Sequence, residues 1–454
     1  MSLAPEIFRE YDIRGITGTQ LTPDVARIVG RAFAQLLVER GVSGAVAVGR
    51  DNRPSGEGLY SGLITGLSES GVDTVDIGVV PTPVAYWAQH KLPVVAGVQI
   101  TGSHNPAEYN GFKLGVQKAS IYGDDIRRLH ELAVAGVFPT GAGSVRSESV
   151  IDPYIEDVVG RVGKLSRRLR IAADAGNGAG SLVAPKLFER LGVDAHCMFC
   201  ESDGTFPNHH ADPTVPENLE DLVHEIRGGG YDFGVAFDGD ADRIGVIEGS
   251  GEIIWGDYLL LLYARDVLER TPGAPIIFDV KCSQALPDAI RNAGGVPVMW
   301  KTGHSLIEEK MHEMHSPLAG EMSGHMYFDE GWYGFDDALF GAARLLRIVA
   351  DSGKSVHELL ADVPRFVSTP EIRVDCADDI KFQIVRDAVD YFGARYPTIG
   401  VDGVRIQYPS GWGLIRASNT QPVIVLRFEA RTQEQLGTIR AEVEGWLAQR
   451  GVTI

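Results

Sequence analysis

The sequence predicts an α/β protein: three related α/β domains plus a smaller C-terminal α+β domain around a central cleft. Three observations carry this expectation. A strand, helix, glycine stop and second strand recur in the same order near residues 45–78, 170–200 and 275–300. Each unit is followed, some tens of residues on, by an apolar strand that breaks into a loop dense in polar side chains. After about residue 362 the pattern changes to three closely spaced strands between two helices. A length of 454 residues suits about three domains at roughly 150 each. The expected domains are residues 1–147, 148–250, 251–362 and 363–454.

Taken in order, residues 6–16 (EIFREYDIRGI) place Tyr11, Asp12, Arg14 and Gly15 in one short segment. Thr22-Pro23 opens a helix as N-cap and first-turn proline. Its apolar stripe is Val25, Ile28, Val29, Phe33, Leu36 and Leu37, and Gly41 ends it. In the first unit AVAVGRD is a strand, residues 56–70 a helix, Gly71 its stop and residues 72–78 a strand. In the second these roles fall to RIAADAGNG, a helix through Leu191, Gly192 and VDAHCMF. In the third they fall to PIIFDVKC, a helix through Arg291, Gly294-Gly295 and VPVMW. The last domain is predicted as a strand near 366–374, a helix near 378–394, the strands GVRIQYP, GWGLIRAS and PVIVLRFEA, and a helix over 432–449.

Residues 97–113, GVQITGSHNPAEYNGFK, are the stretch about which the chain is organised. A strand ending at Ile100 leads into Thr101-Gly102-Ser103-His104-Asn105-Pro106. Asn110-Gly111 predicts a two-residue hairpin turn, with Phe112-Lys113-Leu114 as the return strand. A serine needs help to act as nucleophile or phosphate carrier, and His104 and Lys113 are on hand as proton carriers or phosphate partners. Taken alone, the serine hydroxyl is better explained by an ordinary turn closed by Pro106.

The second loop is Asp238-Gly239-Asp240-Ala241-Asp242-Arg243. In an extended segment the three aspartates share one face. Two like charges ~4 Å apart repel by about 4 kcal/mol at an effective dielectric of 20, so three carboxylates call for a cation. An all-oxygen set favours magnesium over manganese or calcium. A calcium EF-hand does not fit, because its sixth position would be Arg243 and its twelfth Gly249. Arg243 suits a phosphate beside the ion. The third loop, Gly320-Glu321-Met322-Ser323-Gly324-His325, aligns Glu321, Ser323 and His325 if extended. A carboxylate and a hydroxyl suit paired sugar hydroxyls, and His325 can carry a proton or donate to a phosphate. The fourth, Arg416-Ala417-Ser418-Asn419-Thr420-Gln421-Pro422, has the makings of a phosphate nest. Lys281 and His304, each expected at a strand end, and Tyr11 and Arg14 join the candidates only because the loops occur together.

The net charge of −19 argues against nucleic acid or an anionic membrane surface as partner. An anionic substrate needs a basic pocket inside this acidic shell. Glycine, at 54 residues, exceeds the usual share of ~7% and implies many tight loops. Four cysteines in so long a chain fit a reducing cytoplasm. Cys197-Met-Phe-Cys200 has no second pair, which favours buried free thiols on a strand over a zinc site. No apolar signal core opens the chain and no run approaches ~18 apolar residues, so a soluble cytoplasmic protein is expected.

TGSHNP followed by NGFK, then DGDADR, GEMSGH and RASNTQP, in this order, resemble the signature loops of the α-D-phosphohexomutases, and the likeness spans the whole chain. Within that family GEMSGH and the chain length look most like the bacterial phosphomannomutase/phosphoglucomutase group. The resemblance implies that phosphorylated Ser103 gives its phosphoryl group to a hexose monophosphate. A hexose 1,6-bisphosphate then forms, turns over and returns its other phosphate to the serine. It implies Mg2+ on Asp238, Asp240, Asp242 and an oxygen of phosphorylated Ser103, with Arg243 assisting. Lys113 and His325 become the candidate acid/base pair, with His104 beside the phosphoserine. Tyr11, Arg14, Lys281 and His304 are expected to contact substrate, and Glu321 and Ser323 to hold hydroxyls common to glucose and mannose. Arg416, Ser418, Asn419 and Thr420 are expected to grip the phosphate that is not reacting. The implied partners are phosphosugars, and the implied oligomeric state is a monomer. A glucosamine-phosphate mutase, a magnesium-dependent sugar phosphatase and an inactive sugar-phosphate sensor are the alternatives. Because water competes for the phosphoryl group, the last domain is expected to swing about residues 362–369.

Overall fold

A computed structural model describes residues 3–418 and 422–452, and among these the strands form four sheets, of seven, five, four and six strands. The first three sheets share one plan. A central strand (Val46–Arg50, Arg170–Asp174, Pro275–Asp279) pairs in parallel on one side with the strand that follows its helix (Thr74–Val79, Asp194–Met198, Val296–Trp300). On its other side it pairs in parallel with a third strand (Ala96–Ile100, Phe233–Phe237, Leu318–Gly320). That third strand turns back antiparallel into a fourth (Tyr109–Val116, Ile244–Glu248, Met326–Phe328). The three polar loops therefore occupy the same place in each sheet, the reversal between third and fourth strands.

The sequence signals act locally as expected. Thr22 Oγ1 accepts from Val25 N at the start of the helix Pro23–Glu39, and Gly41, Gly71, Gly192 and Gly294 follow their helices at positive φ. Buried side chains of the first three units merge into one apolar cluster, in which Trp87, Tyr154 and Phe340 belong to different units. The last domain (strands Val367–Ser368, Ile372–Asp375, Thr398–Ile399, Val404–Tyr408, Gly411–Ala417 and Val423–Ala430) closes a core of its own beneath the helices Asp378–Gly393 and Gln433–Ala448. Among the described residues, no helix is long and apolar enough to cross a membrane.

Five local expectations are corrected. Asn110-Gly111 is not a turn. Both residues lie inside the strand Tyr109–Val116, paired to Gly15 and Arg14 of the strand Ile13–Ile16. Asn110 is fully buried and donates to Ser55 Oγ, while a Cβ on Gly111 would lie 2.2 Å from the Ile13 carbonyl oxygen. The glycine thus serves close strand approach, and the reversal takes place over residues 101–108. The aspartate loop is not extended either. Ala241 sits at φ 58° and its N–H donates to the Asp238 carbonyl, so a tight turn brings the carboxylates together. The Glu321–His325 segment is likewise a turn, with Gly324 at φ 93° and the Gly324 N–H donating to the Glu321 carbonyl. Finally, His304 does not end a strand but opens the helix His304–Met314, and Lys281 lies two residues beyond its strand. All four cysteines are free; Cys282 and Cys376 are buried, whereas Cys197 and Cys200 are only half-buried and only Cys197 lies on a strand.

Candidate active site

The loop after Ala96–Ile100 carries Ser103 into the aspartate turn of the second sheet. Its Oγ lies 3.1 Å from Asp238 Oδ2 and 3.1 Å from His104 Nδ1. Lys113, returning on the next strand, bonds Asp240 Oδ2 at 3.0 Å and also Asp242. Asp240 Oδ2 further accepts from the hydroxyls of Thr82 and Thr101. Asp238, Asp240 and Asp242 are fully buried, and each offers an oxygen within 4.8 Å of the others. Asp240 Oδ1 has no hydrogen-bond partner despite its burial, a costly state for a carboxylate, and Asp242 Oδ1 meets His325 Nε2 at 3.3 Å. Three converging buried carboxylates, one of them with an oxygen left without a partner, fit a hard divalent cation.

The electrostatics agree. Burial and the neighbouring charges of Asp242 and Asp240 push the Asp238 carboxyl well above the usual range. Burial acts the same way on Asp242, but Lys113 and His325 outweigh it and hold that carboxyl well below. Burial disfavours the Lys113 ammonium, yet Asp240 and Asp242 keep its pKa well above normal. Lys113 is thus held as a cation. His104 is pushed well below its ordinary value by burial, then by Arg243 and Arg14, so it is neutral.

The third loop packs directly against the aspartate turn. His325 Nδ1 lies 2.9 Å from Glu321 Oε2 and 3.0 Å from Ser323 Oγ, and its Nε2 lies 3.3 Å from Asp242 Oδ1. Burial opposes the imidazolium, but Asp242 and Glu321 raise its pKa to about 10. Arg243 Nε faces the same Nε2 at 3.3 Å and lies 4.0 Å from Asp238 Oδ2. Glu321 Oε1 accepts from Gly303 N at 2.8 Å. His304, beside it, is lowered to about 4 by burial, Lys113 and His325. Its ring centroid is 6.3 Å from that of His325 and 5.9 Å from that of Tyr11, whose hydroxyl donates to the Thr302 carbonyl. Arg14 donates to Asn105 Oδ1 and to Asp12, tying the N-terminal segment to the serine loop.

The fourth domain reaches the third through Lys281, which bonds Glu371 at 3.1 Å, and through Asp402, which accepts from Thr302 N and from Arg416 Nε. Ser418 follows on the same strand end, and its carbonyl accepts from the buried Lys381 at 2.6 Å. Asn419 and Thr420 lie outside the described residues. Arg14, Lys113, Arg243, Lys281 and Arg416 each face at least one carboxylate. These cations are held in place before any anion arrives. Sequence reasoning passed over Asp51, Arg53, Thr82, Thr101, Glu371, Lys381 and Asp402. The tripeptide Arg50-Asp51-Asn52 with Arg53, directly after the first central strand, was the available signal for two of them.

Four family models match the chain in succession. They are described as phosphoglucomutase/phosphomannomutase alpha/beta/alpha domains I, II and III, over residues 5–133, 152–251 and 255–366, and the C-terminal domain, over residues 371–445. A phosphomannomutase/phosphoglucomutase of Pseudomonas putida is 47% identical over 443 residues, covering 97% of this chain and 95% of that protein. A phosphoglucomutase of Neisseria gonorrhoeae is 44% identical over 444 residues, covering 97% and 96%. The crystal structure of a phosphoglucomutase/phosphomannomutase family protein from Burkholderia thailandensis superposes with a TM-score of 0.92 at 44% identity, covering 98% of each chain. The resemblance in the loops extends to the whole molecule, and this chain belongs to the phosphoglucomutase/phosphomannomutase family.

Proposed function

We propose that the protein interconverts hexose 1-phosphates and hexose 6-phosphates, glucose and mannose among them, through phosphorylated Ser103 and a hexose 1,6-bisphosphate. The observation that carries this reading is the 3.1 Å approach of Ser103 Oγ to the buried aspartate turn, with the Glu321–His325 turn packed directly against that turn. Ser103 gives its phosphoryl group to one sugar hydroxyl, the bisphosphate reorients, and the serine oxygen takes back the other phosphoryl group. Asp238, Asp240, Asp242 and an oxygen of the phosphoserine would hold Mg2+, which would supply charge neutralisation at the transferring group. Lys113, locked as a cation, stabilises negative charge. His325 is the proton carrier, and its Nε2 lies 3.3 Å from Asp242 Oδ1. Glu321 and Ser323 bind the sugar hydroxyls, and Arg416 with the loop beyond it binds the phosphate at rest. Tyr11, Arg14, Lys281 and His304 line the substrate's path. Domain boundaries near 147, 250 and 362, a monomer, and a reducing cytoplasmic setting complete the reading.

A coupled assay with glucose 1-phosphate, Mg2+ and catalytic glucose 1,6-bisphosphate tests it. Glucose 6-phosphate is the expected product. Inorganic phosphate in its place would make the protein a phosphatase, and no turnover would make it a binding protein.

A further inference from the structure

Arg53 stands outside every loop considered so far, yet it is the most heavily engaged side chain near Ser103. Its guanidinium is fully buried. Nη2 donates to the carbonyl oxygens of Ser103 and Asn105, both at 2.6 Å. Nη1 donates to those of Pro106 at 2.6 Å and Tyr109 at 3.1 Å, and Nε donates to Asp51 Oδ2 at 3.1 Å. A guanidinium has five N–H donors, and all of them are engaged here, four on the backbone of one loop. One face of the group lies 4.9 Å from the centroid of Phe206, on the second unit. Asp51 completes the clamp: its Oδ2 accepts from Thr101 Oγ1 at 2.8 Å and from Gly102 N at 3.2 Å.

This clamp coincides with a strained residue. Ser103 has φ 49°, a left-handed conformation that costs a non-glycine residue about 1–2 kcal/mol. Both peptide groups that define it are pinned. The Ser103 N–H donates to Thr101 Oγ1 at 2.8 Å, and the Ser103 carbonyl is taken by Arg53. That carbonyl also faces the metal turn, where a Cβ on Gly239 would come 2.4 Å from it. At Gly102 a Cβ would lie 2.7 Å from Arg53 Cζ, so the loop has a glycine where the guanidinium passes. Loop and clamp are shaped to each other.

We infer that Arg53 is a positioning residue for phosphoryl transfer: it holds Ser103 in the left-handed conformation that aims Oγ at the aspartate turn, and it acts on turnover rather than on sugar binding. This rests on the reading of Ser103 as the phosphoryl carrier. A lysine at this place keeps the charge but not the planar fork that spans four carbonyls. Displacing a reacting atom by ~1 Å can cost about 100-fold in rate.

The test measures Arg53→Lys and Arg53→Met beside the parent protein. The readouts are kcat and KM for glucose 1-phosphate, the thermal midpoint, and phosphoryl uptake at Ser103 from glucose 1,6-bisphosphate by intact mass. For Arg53→Lys the expected result is kcat lower by about 100-fold, KM within about twofold, slowed phosphoryl uptake and a cooperative thermal transition. Arg53→Met is expected to lose more turnover than Arg53→Lys with the same KM. The inference is overturned if Arg53→Lys keeps kcat within about threefold. It is also overturned if KM rises as far as kcat falls, or if Arg53→Lys does not fold, which would make the clamp structural. Failure of the parent itself to take up a phosphoryl group at Ser103 would instead sink the phosphoserine reading, a separate and recognisable outcome.

Discussion

Ser103 and Asp238 meet across the junction of two sheets, Oγ to Oδ2 at 3.1 Å, although 135 residues separate them in the chain. Neither residue is unusual alone. Their meeting follows from the shared sheet plan, which puts a polar loop at the same reversal in each unit. The buried apolar cluster common to the first three units then fixes those reversals against one another.

Removing one ligand oxygen from the aspartate turn should show in metal dependence. Asp240→Asn keeps the shape but lowers the charge facing Lys113 and any bound cation. Turnover is expected to fall by at least about 100-fold, with a higher Mg2+ concentration needed for half-maximal rate. A chelator should abolish the parent's activity, and added Mg2+ should restore it. Undiminished turnover in Asp240→Asn, or in chelator, would count against the metal.

Glu321 reaches both His325 and Gly303 N. In Glu321→Gln the acceptor to Gly303 N is preserved while the charge is lost. KM for glucose 1-phosphate should rise, and the alkaline limb of the rate profile should move to lower pH, because Glu321 is one of the carboxylates that hold the His325 pKa up. Steady-state kinetics across pH 6–10 measure both; unaltered kinetics would remove Glu321 from the site.

Much of this was legible in the sequence for a physical reason. Chemistry concentrated in short loops leaves short motifs, so Ser103, Asp238, Asp240, Asp242, Glu321 and His325 could be named from their immediate neighbours. The residues that hold those loops could not. Arg53 serves Ser103 from 50 positions away, and Asp402 links Arg416 of its own domain to Thr302 of the third. Their signals depend on pairing across sheets. Asn110-Gly111 misled because the dipeptide that favours a tight turn also suits a buried asparagine beside a close strand. For the aspartates the convergence was anticipated but its cause was not, since Ala241 turns the chain where an extended segment was expected.

Glu308 offers a pH-dependent stability away from the cation site. It is buried between the first and third units, and burial raises its pKa from 4.5 to about 7 although Ser120 donates to it. A carboxyl raised in the folded state gives stability that is full below the unfolded value and is lost as pH climbs through 7. Glu308→Gln should therefore raise the thermal midpoint by a few degrees at pH 8 and leave it little changed at pH 4.5. Equal shifts at both pH values would contradict this.

The last domain has its own core and meets the third through polar contacts, Lys281 to Glu371, Thr302 to Asp402, and Arg405 to the carbonyls of Val280 and Cys282 at 2.7 Å each, and through a small apolar cluster of Val280, Trp412 and Leu414. The apolar cluster is small and the polar contacts re-form at small displacement, so the domain should turn as a body about residues 362–369 when bisphosphate binds. Small-angle scattering should report a smaller radius of gyration with hexose 1,6-bisphosphate. Superimposable profiles would rule out the closure.

The most direct measurement follows the phosphoryl group itself. After mixing with hexose 1,6-bisphosphate and Mg2+, mass spectrometry should find one phosphoryl group on Ser103. A chase with glucose 1-phosphate at low bisphosphate should move it to the sugar, while Ser103→Ala takes up none. Modification at another residue, or release of the group only as inorganic phosphate, would contradict the account.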